Sequence, residues 1–286
     1  AGWPAAHALL SHFTVMVKGQ SQIFPSGPPV VRRAIGEQLD KEELGGHMMH
    51  VHESGQVDNE AEDEEDAFNQ IKKFISFLPN TTNDVAPRVE TGDPPDRRAE
   101  GLLNIIPTNR KRSYDSRRLI EMVVDNGDFF EMRRHWAGAI ITGFARLDGY
   151  SVGIVGSDPM NMAGAMDGEA ADKYAHFVDL CDAFNLPLVT FVDTSGFYPG
   201  KDLEWRGMIR YGAQMAFAYA RATVPRVCLT LRKSYGGAYI VMDSRYMGND
   251  IMLAWPSAEI AVMGPDAAVN ILHRERIANS ETPEAT

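Results

Sequence analysis

Residues 226–243, RVCLTLRKSYGGAYIVMD, decide the fold. Residues 226–231 read as a strand, Gly236-Gly237 as a tight turn, and residues 238–243 as the start of a helix. Moving outward, residues 188–192 form a second buried strand that ends in Asp193-Thr194-Ser195-Gly196, with a helix expected over 208–222. Before it, Tyr174, Phe177, Val178, Cys181 and Phe184 recur at helical spacing. Residues 140–147 and 150–155 are strand-like runs joined by Asp148-Gly149. That pair predicts a hairpin, because a type I′ turn needs positive φ at both central positions. Asp115 can cap a helix whose apolar face is Leu119, Ile120 and Val123. Strand, glycine turn and helix in repeated order define an α/β domain.

The N-terminal part is less regular. Two short strands are expected over 13–18 and 20–24 around Gly19-Gln20, then a helix near 30–35. An amphipathic helix over 64–78 carries Phe68, Ile71, Ile75 and Leu78 on one face and stops at Pro79. Seven acidic residues crowd into positions 58–66 of a chain whose net charge is −11. Carboxylates at a helix start are stabilised by the helix dipole, so the run reads as a solvated helix end. Residues 79–113, punctuated by Pro79, Pro87, Pro94, Pro95 and Pro107, have no clear period and read as a linker or a surface-wrapping segment. The domain boundary is placed there, giving units 1–113 and 114–286. The chain opens at Ala1 inside a small-residue segment and ends in a polar tail, so a fragment or processed chain is expected.

Several functions are disfavoured. No basic stripe with interleaved aromatics supports nucleic-acid binding, and no apolar run reaches the ~20 residues of a membrane span. The P-loop pattern is absent. Cys181 and Cys228 are too few for a disulfide framework and read as core thiols. His47, His50 and His52 form the one histidine cluster; without a second group at zinc spacing they read as surface histidines, and no metal is expected. Ser195 is not a hydrolase nucleophile, because the elbow needs glycine two residues earlier, where Asp193 stands.

The strongest site candidate is the turn Gly236-Gly237-Ala238-Tyr239. Glycines there let backbone N–H groups approach a ligand, and the helix start adds partial positive charge. An oxyanion hole or a phosphate turn would use the same physics; a turn without a ligand would have the same spacing. Gly2-Trp3 at the chain start is similar in kind, with a plain turn the simpler reading. Val15-Met16-Val17-Lys18 comes near a biotin-acceptor sequence without matching it, so biotin would have to arrive on another polypeptide.

Residues 143–155 (GFARLDGYSVGIV), 184–193 (FNLPLVTFVD), 196–200 (GFYPG), 232–239 (RKSYGGAY) and 254–264 (AWPSAEIAVMG) together resemble the beta, carboxyltransferase subunits of biotin-dependent propionyl-CoA and acetyl-CoA carboxylases. Residues 13–18 and 42–46 (EELGG) also fit. The resemblance implies two crotonase-like domains, both incomplete here, with active sites shared between subunits of a hexameric core. It assigns Gly2 and Trp3 to the hole for the acyl-CoA thioester oxygen, and Gly237 and Ala238 to the hole for the ureido oxygen of biotin. Gly196, Gly236, Tyr239 and Ile240 would line the substrate site. The implied reaction moves CO2 from carboxybiotin to the α-carbon of an acyl-CoA, or the reverse in a decarboxylase. The partners implied are a biotin carboxylase and biotin-carrying alpha subunit, in the cytoplasm or a mitochondrial matrix. Trp3 departs from the usual second glycine, and Ile240 from an aspartate common in propionyl-type subunits, so propionyl-CoA, acetyl-CoA and longer acyl groups stay open. A non-catalytic scaffold is the remaining alternative.

Overall fold

The computed structural model describes residues 1–279; the polar tail from residue 280 onward lies outside them. Among the described residues, nine strands are distributed over two sheets. The larger holds β3 (Phe130–Met132), β4 (Ile140–Leu147), β5 (Tyr150–Ser157), β6 (Leu188–Thr194), β7 (Arg226–Tyr235) and β8 (Ile251–Ala254) in that order. A further strand, β9 (Glu259–Ala261), pairs with the far end of β7. β3, β4 and β5 run antiparallel, whereas β5 to β9 pair parallel. The β4–β5 hairpin closes at Leu147↔Tyr150 with Asp148 at φ 50° and Gly149 at φ 76°, as the Asp-Gly pair predicts.

Alternation along the strands feeds two cores. Ile140 and Phe144 of β4 point to one face, and Ile141 and Ala145 to the other. On β6, Leu188 and Val192 join the first face, while Phe191 joins the second. The first face is covered by the helices Gly168–Ala183 and Met208–Arg221, which are the crossovers between β5 and β6 and between β6 and β7. They bury Tyr174, Phe177, Val178, Met215 and Tyr219. The second face is covered by the helix Ser116–Val123 through Leu119 and Ile120, with Asp115 accepting the N–H groups of Arg117 and Arg118 as its cap. Burial on both faces explains the near-continuous apolar reading of β5 and β6.

The smaller sheet pairs β1 (Val15–Val17) with β2 (Asn59–Ala61) in parallel. The two expected strands over 13–18 and 20–24 are therefore corrected: only residues 15–17 form a strand, and their partner is remote. The buried Asp58 carboxylate accepts both Thr14 N–H (2.8 Å) and Thr14 Oγ1 (3.0 Å), which lays residues 59–61 alongside β1. Residues 21–24 instead serve as a connector, with Ile23 N–H donating to Gly45 O. Only the second part of the acidic run is the expected solvated helix start, with Asp63 accepting from Asp66 N–H at the beginning of Glu64–Ser76; Asp58 is buried against Arg133 and Glu60 lies in β2. That helix sends Phe74 into the first core, and Phe77 follows just beyond its end.

Residues 79–113 form a strap over the larger sheet, with one short helix, Leu102–Ile105. Val89 N–H donates to Gly149 O, Asn185 Nδ2 donates to the carbonyls of Thr82 and Asp84, and Arg97 donates to the carbonyls of Met122 and Val124. No helix among the described residues is long and apolar enough to cross a membrane.

Candidate active site

β6 and β7 end side by side, and the pairing slips between Val192↔Thr230 and Thr194↔Ser234. Asp193 sits in that slip, fully buried, and its carboxylate accepts from Arg232 Nε (3.1 Å) and from the Lys233 backbone N–H (3.1 Å). Arg232 also reaches Arg112 O and lies over the Tyr114 ring at 5.1 Å. Lys233 Nζ donates to Ala163 O at 2.6 Å; burial pulls its amine below the ordinary lysine value, and Asp193 opposes that shift. This buried polar frame fixes where β7 stops.

Beyond Tyr235 the chain turns sharply into the helix Gly236–Val241. Gly236 takes φ +66°, a left-handed conformation that side chains disfavour, so glycine is required there. As the first residues of the helix, Gly236, Gly237 and Ala238 have no intrahelical carbonyl for their N–H groups. Gly237 is exposed, and Ala238 directly after it is fully buried and forms the packed base of the turn. The Phe197 ring walls this edge, 3.6 Å from where a Gly237 Cβ would stand. Gly196 is buried beside it at φ +119°, 3.7 Å from Tyr235 O by the same measure, and is held by Thr194 Oγ1, which accepts its N–H at 3.2 Å. Tyr239 is half-buried, with its phenol pushed up by burial, and Ile240 is 40% exposed. Gly196, Gly236 and Gly237 thus cluster, with Tyr239 and Ile240 following on the same helix.

Tyr235 donates to Glu259 Oε2 at 2.5 Å, and Glu259 pairs with Arg110 at 2.6 Å. Sequence reading ended β7 at residue 231. It runs on to Tyr235 because β9 pairs with Lys233, Ser234 and Tyr235. Asp193, Arg232, Lys233 and Phe197 lay inside quoted motifs, but their roles were not visible: a polar strand end does not announce which carboxylate it will meet.

Gly2 and Trp3 lie elsewhere, at the start of the helix Trp3–Leu9. The Gly2 N–H is engaged by Phe24 O (3.1 Å) and Pro25 O (2.9 Å), so its amide is not free to serve an incoming oxygen. Trp3 is 69% exposed, with its ring edge-on to His7 at 5.0 Å. Both border a cavity of about 270 Å³ whose walls include Ala5, Leu9, Ile23 and Phe24; none of residues 236–240 lines it. The chain therefore does not bring the two candidate holes into one pocket.

A mixed sheet with crossover helices, superposable on the transcarboxylase structure described below, makes this an α/β domain of crotonase-like fold. The chain belongs to the carboxyl transferase domain family, whose model matches residues 1–286. It is 46% identical over 275 residues to the methylmalonyl-CoA decarboxylase subunit alpha of Veillonella parvula, covering 96% of this chain and 54% of that one. Identity to the propionyl-CoA carboxylase carboxyltransferase subunit of Haloferax mediterranei is 44% over 285 residues, covering 100% and 55%. Among solved structures, the transcarboxylase 12S hexamer with methylmalonyl-coenzyme A bound superposes with a TM-score of 0.93 at 42% identity, covering 99% of this chain and 54% of that one. The chain spans about half the length of the curated relatives it matches.

Proposed function

We propose that this chain is the carboxyltransferase part of a biotin-dependent enzyme that moves a carboxyl group between biotin and the α-carbon of a short-chain acyl-CoA, of the methylmalonyl/propionyl type. The observation that carries the reading is the Gly236–Ala238 junction: adjacent peptide amides at a helix start, fixed from beneath by Asp193, Arg232 and Lys233. Such donors suit an oxygen on which negative charge develops, and they need no side-chain nucleophile. The residues present fit a ureido oxygen, because the exposed edge at Gly237 bears no side chain and Phe197 offers a flat apolar wall beside it.

When bound, carboxybiotin supplies the carboxyl group and a ureido nitrogen able to take the α-proton. Gly237 and Ala238 hold the ureido oxygen through their N–H groups, and Phe197 with the buried Gly196 restricts water on one side. The apolar cavity beside Trp3 suits an acyl-CoA, with the Trp3 N–H as the donor in place of the engaged Gly2 amide. Both parts would complete a site across subunits of a hexamer, the assembly of the transcarboxylase 12S relative. A biotin-carrying partner subunit, a boundary near residue 113 between the two units, and work in the cytoplasm or a mitochondrial matrix belong to the same proposal.

The test uses the full-length subunit that contains this chain, with malonyl-CoA and methylmalonyl-CoA compared as carboxyl donors to free biotin. Transfer preferring methylmalonyl-CoA is expected. Gly237→Val keeps the N–H but sets a branched side chain beside Phe197 where the oxygen must sit, so transfer should fall by about a hundredfold, what losing such a donor costs, with the fold kept. Full activity in a folded Gly237→Val variant removes the junction from the site. A second reading, the decarboxylase direction, is favoured by the similarity to the Veillonella parvula protein. A membrane partner that co-purifies with the subunit would select it.

A further inference from the structure

His52, Glu60 and His135 come together although they are far apart in the chain. His52 lies in the π-helix Met48–Glu53, Glu60 is central in β2, and His135 stands in the turn between β3 and β4. His52 Nε2 lies 2.8 Å from Glu60 Oε2, and His135 Nε2 lies 3.7 Å from Glu60 Oε1. The two imidazoles are stacked at 4.5 Å and 20°. One donor atom from each residue falls within 4.8 Å of the other two. Tetrahedral zinc with ligands at about 2.0–2.2 Å places its donors about 3.4 Å apart, so the cluster is within a side-chain adjustment of that geometry. Neither His47 nor His50 takes part; His50 is buried and bonded to Ile23 O at 2.7 Å.

We propose that His52, Glu60 and His135 bind one divalent transition-metal ion, of the zinc or cobalt type, which clamps the smaller sheet to the larger one. Two imidazoles and a carboxylate are a proper donor set for such ions, and a fourth position is open to water. Glu60 already gathers positive charge, since Lys18 Nζ sits 3.1 Å from Oε1. Lys18 has a second acceptor in Glu62 at 2.5 Å, so it can yield Glu60 to a metal without losing its own ion pair. The supports are firm on the far side. The buried amine of Lys173 donates to the carbonyls of Arg133 and Trp136, which fixes the turn bearing His135. Arg133 in turn pairs with Asp58, two residues before Glu60. A π-helix, rare and concentrated at functional positions, delivers His52.

The experiment titrates the chelator-treated full-length subunit with zinc sulfate by calorimetry and with cobalt chloride by visible absorption. One ion per chain is expected, with a cobalt band in the visible range and a melting temperature that rises with zinc concentration. Glu60→Gln and His135→Ala should each weaken binding by more than the tenfold that losing an outer-sphere partner costs. His47→Ala should leave it unchanged. Lys18→Met, which removes the competing ammonium, should tighten it, and this gain cannot come from misfolding. No saturable binding, or equal binding in the His135→Ala protein, overturns the proposal; the cluster would then be only a carboxylate shared among protonatable groups.

Discussion

Between β4 and β5 eight residue pairs face one another, from Ile140↔Ser157 to Leu147↔Tyr150, whereas β1 and β2 share three. The larger sheet closes over continuous apolar cores on both faces, with Phe144 touching Phe74, Phe77 and Phe177. The smaller sheet has only small apolar clusters, one around Met16, Val51 and Val57 and another around Val17, Ala61 and Ala67. Apart from Phe13, which stacks on Phe74 at 4.9 Å just before β1, it is tied to its neighbour by polar groups. Arg133 Nε donates to Asp58 at 2.8 Å, and Asn59 Nδ2 donates to Glu131 O at 3.2 Å. Dispersion and burial hold one sheet, whereas an ion pair, an amide hydrogen bond and the Phe13 contact hold the other to it. The two should respond differently to the same kind of damage.

Removing the aromatic hub is the most severe break. Phe144→Ala should cost about 3–5 kcal/mol of the larger sheet's stability in urea unfolding; a loss under about 1 kcal/mol would mean the stack can be refilled. Asp58→Ala strips a buried carboxylate from Arg133 and Thr14. A cost of about 3 kcal/mol is expected, confined to the smaller sheet. Hydrogen exchange should show protection lost around residues 14–17 and 59–61 and kept in β4 to β7. Equal loss in both sheets would show that they unfold as one unit.

The third prediction concerns pH. Burial lowers the Lys173 amine to about 7 from an ordinary 10.5. Between those values the unfolded chain binds more protons than the folded one, so stability rises as pH rises through this window. The raised thiols of Cys181 and Cys228 act in the opposite sense above their ordinary value of 9, and the raised phenols of Tyr174 and Tyr219 above 10. Melting temperature should therefore climb between about pH 7.5 and 8.5, and Lys173→Met should flatten the climb. An unchanged slope would assign it to another group. The smallest effect sharpens the contrast from the other side. Asp63→Ala and Asp115→Ala remove the same cap from helices that feed opposite cores, and each should cost about 1 kcal/mol in thermal unfolding.

The same contrast sets what could be read from the sequence. The hairpin at Asp148-Gly149, the cap at Asp115, the acidic start of the helix Glu64–Ser76 and the strand-turn-helix at residues 226–241 depend on neighbours along the chain, and all are legible. The partner of β1 is not, because alternation over 13–24 says that a strand can form without saying that Asp58 will choose what it pairs with. β7 was read short because its last residues, Arg232 to Tyr235, are polar or aromatic and gain their strand from β9. The glycine turn at Gly236-Gly237 was visible, while the Asp193 frame beneath it was not. The histidines fared worst: proximity in sequence grouped His47, His50 and His52, whereas the fold sets His52 beside His135.

The strap of residues 79–113 has a consequence in time. During synthesis it emerges before the surface on which it comes to rest. Thr82 and Asp84 wait for Asn185, which follows them by 103 and 101 residues. At the pace of translation, about 5–20 residues per second, that is a delay of about 5–20 s. For that interval its first residues, around Thr82 and Asp84, lack their docking partner and are open to proteases and to other nascent chains. Its five prolines, at 79, 87, 94, 95 and 107, remove backbone donors that an opportunistic strand pairing would need. A composition that reads as mere linker thus keeps the strap unpaired until the hairpin at Gly149 and the turn at Asn185 have formed to receive it.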